Sequence, residues 1–127
     1  MSAKLEAYRK ATQKPEKHLV WELRGAGLEN LGQGGKPIAE PVPECGPRQI
    51  LARVDALGLC YSDVKIINQG GDHPRFKNRD LAEDPVVVGH EVSVTVAEVG
   101  EELQDRYRPG QRLVVQPDAY LKGEQIS

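Results

Sequence analysis

Between residues 49 and 57 apolar positions recur every second residue: Ile50, Ala52, Val54 and Ala56 share one face, while Leu51 and Leu57 make the other partly apolar. A period of two is the mark of a strand with a buried face, so this stretch predicts a core strand. A second run, Val92, Val94, Val96 and Val99, is β-branched throughout and predicts a longer strand ending at Gly100. Shorter apolar stretches at 18–23, 85–88 and 112–115 predict three more strands, the last following the turn Pro109-Gly110. Between them Gly25, Gly27, Gly32, Gly34 and Gly35 mark turns, and Pro37, Pro41, Pro43 and Pro47 keep the backbone extended and exclude helix.

Helical pattern is scarce. Residues 3–11 are good helix formers and predict a short lead-in helix or a frayed tail, ending at Lys14-Pro15. Residues 62–67 predict a second, capped by Ser62 or Asp63 and stopped before Gly70-Gly71. A polar loop follows from His73 to Glu83, carrying Arg75, Lys77, Arg79 and Asp80 with one aromatic, Phe76. Strands separated by Gly and Pro turns predict a mainly β fold, a small, partly open β-barrel with short helices. The expected organisation is a lead-in segment, 1–14, and one domain, 15–127.

A chain of 127 residues suits one domain, and a net charge of −2 with mixed signs gives no footprint for nucleic acid or an anionic membrane. Small neutral or modestly charged ligands fit better. Cys45 and Cys60 are the two cysteines, too few for a disulfide framework, which points to a reducing compartment. The start carries Lys4, Glu6, Arg9 and Lys10 rather than the apolar core of a secretory signal, and no apolar run approaches the roughly 20 residues of a membrane helix. A cytoplasmic protein is expected.

Two segments carry candidate chemistry: Gly58-Leu59-Cys60-Tyr61-Ser62-Asp63 after the first strand, and Gly89-His90-Glu91 at the head of the valine run. A catalytic zinc takes three protein ligands and keeps one position open, and Cys60, His90 and Glu91 offer a thiol, an imidazole and a carboxylate. They lie far apart in the chain, so a fold must bring them together; on residue type alone Cys60 reads more readily as a buried core thiol than as a ligand. Cys45, between Glu44 and Gly46, reads as structural. His18 and His73 read as solvated or hydrogen-bonded side chains, although His73 lies in the loop before the second segment. Arg75, Lys77 and Arg79 form either a solvated face or a receiver for a phosphate.

The two segments, followed by Val99-Gly100 and Pro109-Gly110-Gln111-Arg112-Leu113-Val114, resemble the zinc-dependent medium-chain alcohol and polyol dehydrogenases over about residues 18–118. The resemblance implies a GroES-like catalytic domain in which zinc polarises the substrate oxygen for hydride transfer to NAD or NADP. It makes Cys60 and His90 zinc ligands, Glu91 a third ligand or a close carboxylate, Ser62 the hydroxyl that relays the substrate proton, and Asp63 the carboxylate that orients the histidine. The stretch from Pro109 to Pro117 and the basic loop resemble the polyol and sugar-phosphate branch, so the expected substrate is an alcohol, a polyol or a sugar phosphate.

There are departures as well. Val94 stands where the family usually has a glycine, Tyr61 where some alcohol dehydrogenases have a basic residue, and no four-cysteine structural zinc lobe follows Cys60. No G-x-G-x-x-G follows Gly110, so the expectation is a catalytic-domain portion without the Rossmann domain that would hold NAD or NADP, inactive by itself. Whether the full-length protein is a homo-oligomer stays open. Two other readings remain: a non-catalytic GroES-like barrel serving as a binding or assembly module, and a zinc-free quinone oxidoreductase domain.

Overall fold

The computed structural model describes residues 14–117 together with Ala3, Glu6, Tyr120–Leu121 and Glu124–Gln125. Most of the lead-in helix expected at 3–11 lies outside the described residues. In chain order the elements are β1 (Lys17–Val20), β2 (Glu22–Leu23), β3 (Ile38–Pro41), β4 (Ile50–Gly58), α1 (Tyr61–Gln69), β5 (Val86–Val87), β6 (Glu91–Val99), β7 (Arg112–Val114), β8 (Tyr120–Leu121) and β9 (Glu124–Gln125). The fold is mainly β and open: β1 pairs with β3, β2 with β5, β4 with β6 and β6 with β7, and β8 with β9, all antiparallel. No helix among the described residues is long and apolar enough to cross a membrane.

The strand expected at 18–23 is two strands. Its first half faces β3, with Val20 opposite Ile38, and its second half faces β5, with Leu23 opposite Val86. The break falls at Trp21, because one apolar run here serves two partners and must turn between them.

The central sheet is β4-β6-β7, and here the alternation of β4 misleads. Its register against β6 shifts between Leu51 and Ala52 and again between Val54 and Ala56. Each shift inserts an unpaired residue and resets which side faces inward. Val54, expected in the core, is 54% exposed. Asp55 occupies the second bulge, where Arg53 Nε lies 3.2 Å from its Oδ1 and the Thr95 hydroxyl donates to Oδ2 at 2.6 Å. On β6 the valine pattern holds, with Val94 and Val96 buried.

The main core lies under α1. Ile66 and Ile67 pack with Leu23, Leu81, Val86 and Val88, and Leu31 and Phe76 close its edge. Burying each aliphatic side chain is worth about 1.5–3 kcal/mol. The helix starts one residue earlier than expected. Cys60, not Ser62 or Asp63, is the N-cap, with extended backbone at φ −111° and ψ 177°. Asp63 sits at the third helical position and its carboxylate reaches back to accept from the Cys60 amide at 3.0 Å, a capping box with a thiol in the hydroxyl's place.

Beyond the helix, the loop is ordered by short 3-10 turns at Gly70–Asp72 and Pro74–Phe76. Arg79 clamps its far end: Nε donates to the Asp84 carbonyl at 2.9 Å, and Nη2 donates to the Asp84 carboxylate at 2.8 Å and to the Pro85 carbonyl at 2.9 Å.

Candidate metal centre

The register of β4 against β6 creates the site. Gly58, the last residue of β4, lies opposite Glu91, the first of β6. The residues just after the one and just before the other are therefore neighbours. Cys60 Sγ and His90 Nε2 are 3.5 Å apart, and the Ser62 hydroxyl lies 2.8 Å from the sulfur and 3.5 Å from the same nitrogen. Ligand atoms of Cys60, His90 and Glu91 all lie within 4.8 Å of one another. Cys60 and His90 are half-buried and Glu91 is exposed.

Asp63 joins the two segments. One oxygen accepts from the Cys60 amide at 3.0 Å, and the other accepts from the Gly89 amide at 3.0 Å and lies 3.2 Å from His90 Nδ1. A carboxylate only accepts, so the imidazole proton belongs on Nδ1 and the Nε2 lone pair faces Cys60. Asp63 is 1% exposed. Burial works to raise its pKa, yet the amides of Cys60 and Gly89, together with the His90 ring, outweigh burial and hold the carboxyl below its ordinary range.

Gly89 is required on two counts. Its φ is +96°, and a Cβ there would lie 2.5 Å from Leu57 Cδ1. Without that conformation its amide could not aim at Asp63 while His90 turns toward Cys60.

The donor set suits zinc. With a Zn–S bond of about 2.3 Å and a Zn–N bond of about 2.0–2.1 Å, a tetrahedral sulfur-to-nitrogen edge is about 3.6 Å. The 3.5 Å between Cys60 Sγ and His90 Nε2 matches that edge. A Glu91 carboxylate oxygen lies within 4.8 Å of both of these donors.

Other sequence candidates lie elsewhere. Cys45 Sγ is directed at the Gln49 carbonyl, 3.4 Å away. His73 Nδ1 accepts from the Arg75 amide at 3.3 Å and caps a 3-10 turn. Arg79 is occupied by its clamp, which removes it from the set of cations that a phosphate could meet. Tyr61 is 73% exposed, with the Lys65 ammonium 5.2 Å from its ring centre. Sequence reasoning missed an open groove of about 550 Å³ beside His90 and Glu91, walled by Leu57, Val92, Val114, Val115 and Pro117. The available signal was Val114, Val115 and Pro117, apolar residues at and just beyond the end of β7.

Residues 46–126 match the alcohol dehydrogenase GroES-like domain. The chain belongs to this family. Within it, the chain is 39% identical over 80 residues to L-sorbose 1-phosphate reductase of Klebsiella pneumoniae, a match covering 63% of this chain and 19% of that protein. It is 38% identical over 86 residues to human sorbitol dehydrogenase, covering 68% of this chain and 22% of the relative. With sorbitol dehydrogenase of Macaca fascicularis it shares 39% identity over 110 residues, covering 84% of the chain and 26% of the relative. The GroES-like domain described here thus spans about a fifth to a quarter of the length of these relatives.

Proposed function

We propose that residues 15–127 form the catalytic domain of a zinc-dependent polyol or sugar-phosphate dehydrogenase that works with NAD or NADP in the cytoplasm. The observation that carries this is the approach of Cys60 Sγ to His90 Nε2 at 3.5 Å, with the imidazole held from behind by the buried Asp63. Relatives named for sorbitol and for sorbose 1-phosphate support the substrate class.

Cys60 and His90, with Glu91 as the third donor, would hold the zinc, which when bound supplies a Lewis acid for the substrate oxygen. The remaining roles belong to this chain. Asp63 fixes the His90 ring in the tautomer that leaves Nε2 free to bind. Ser62, whose hydroxyl stands beside both donors, would take the substrate's hydroxyl proton and pass it toward solvent, and NAD or NADP would supply the acceptor for the hydride. The apolar groove beside His90 and Glu91 offers a surface along which the carbon chain of the substrate could lie next to the donors. Asp63 would serve the fold of a binding module equally well, but the convergence of Cys60, His90 and Glu91 donors within 4.8 Å of one another has no use in such a module, which weighs against the non-catalytic reading.

Zinc titration of the parent chain, Cys60→Ser and Cys45→Ser against a chromophoric chelator tests the reading. Cys60→Ser should lose high-affinity zinc and Cys45→Ser should keep it. Equal affinity in all three, or loss in the Cys45 variant alone, refutes the site.

A further inference from the structure

Gly58 is a glycine that the backbone does not require. It is not among the residues with positive φ, it is exposed, and it ends β4. What surrounds it is Glu91. Directly opposed residues of an antiparallel pair project to the same face, and with no side chain on Gly58 that of Glu91 lies across the vacant place. A Cβ on Gly58 would stand 3.1 Å from Glu91 Oε2 and 3.4 Å from Glu91 Cβ, too close for the carboxylate to stay where it is.

From this contact we infer that Gly58 is a positioning residue: its missing side chain is the shelf on which the Glu91 carboxylate rests within reach of Cys60 and His90. The inference rests on the metal reading above. Adding one methyl at Gly58 displaces the carboxylate by a few tenths of an ångström, as much as the roughly 0.2 Å tolerance on a metal–ligand distance. Gly58→Ala should therefore act as a partial loss of Glu91 and weaken zinc binding about tenfold, the low end of what outer-shell changes cost.

The test is a double-mutant cycle on the full chain: zinc affinity of the parent, Gly58→Ala, Glu91→Gln and the double variant, with Cys60→Ser alongside. Gly58→Ala should weaken zinc about tenfold in the parent and cause no further weakening once Glu91 is glutamine. Cobalt(II) loaded in place of zinc should give Gly58→Ala a visible spectrum shifted toward that of Glu91→Gln, a change that a general loss of stability would not produce. Equal weakening in both backgrounds, unchanged or tighter binding in the parent background, or a parent-like cobalt spectrum overturns the role of Gly58 and leaves the Cys60 and His90 assignment standing. Undiminished zinc binding by Cys60→Ser overturns both. Should Gly58→Ala alone fail to fold, Gly58→Ala/Glu91→Ala removes the side chain it meets. Recovery of the fold then supports the contact, and failure to recover overturns it.

Discussion

Replacing Asp63 with asparagine strikes the centre at its most buried point. The carboxylate serves three donors, Cys60 N at 3.0 Å, Gly89 N at 3.0 Å and His90 Nδ1 at 3.2 Å. An amide has one acceptor oxygen and two N–H donors, so it cannot serve all three. With its oxygen toward Gly89 and His90, its NH2 faces the Cys60 amide, donor against donor, and α1 loses its cap. With its oxygen toward Cys60, the NH2 faces Gly89 and the ring, and His90 must carry its proton on Nε2, the nitrogen beside the Cys60 sulfur.

Each arrangement forfeits at least one hydrogen bond to a charged acceptor, about 1.5–3 kcal/mol, and leaves a buried donor unpaired, about 1–3 kcal/mol. The two costs describe one place and overlap, so the expected loss is about 2–4 kcal/mol. Against the roughly 5–15 kcal/mol of a typical domain that is a large displacement of the urea midpoint. Trp21, the one tryptophan and half exposed, provides the fluorescence signal for unfolding with a chelator present. Zinc affinity, measured by competition, should fall about 10- to 100-fold. A loss below about 0.5 kcal/mol, the range of an ordinary surface change, together with unaltered zinc affinity would refute the reasoning.

Three further outcomes follow from the same geometry. Because the Asp63 carboxyl is held below its ordinary value of 3.8, its contribution to stability is complete above that pH and fades as pH falls through the lowered folded value. Urea melts on the metal-free parent should therefore steepen their decline in acid relative to Asp63→Asn, and parallel acid profiles would contradict the shift. Leu23→Ala, at a fully buried position in the core under α1, should cost about 2–5 kcal/mol in chemical denaturation, and a cost under 1 kcal/mol would show that the core is not centred there. Arg79→Ala should speed amide exchange at residues 80–84 while leaving zinc affinity intact, since the clamp holds the loop and touches no donor of the candidate metal centre; unchanged exchange would deny the clamp its role.

The elements were legible where residue type and period agree. The valine run became β6, and the run at 49–57 became β4 within a residue at each end. The inward face of β4 was not legible, because the bulge at Asp55 answers to a partner strand that no local pattern contains. The helix start was misplaced by the habit of seeking oxygen at an N-cap, whereas Cys60 takes that place with Asp63 reaching back. The chemistry-bearing residues were named from the two segments and their resemblance. What the sequence could not supply was their meeting, which depends on Gly58 facing Glu91, or the engagement of Arg79 with its own loop.

The pairing of Gly58 with Glu91 would also make metal uptake a record of how the strands were matched. Sliding β4 by one residue along β6 would move Cys60 by about 3.3 Å relative to His90 and turn the faces over. A chain matched that way could still hydrogen-bond its strands, but it would offer a metal ion only scattered donors. On the proposed metal reading, zinc in the medium would stabilise one alignment of this sheet over its neighbours, by RT ln(1 + [Zn]/Kd) for the chains whose donors converge. A zinc pulse during refolding should then raise the yield of correctly paired β4 and β6.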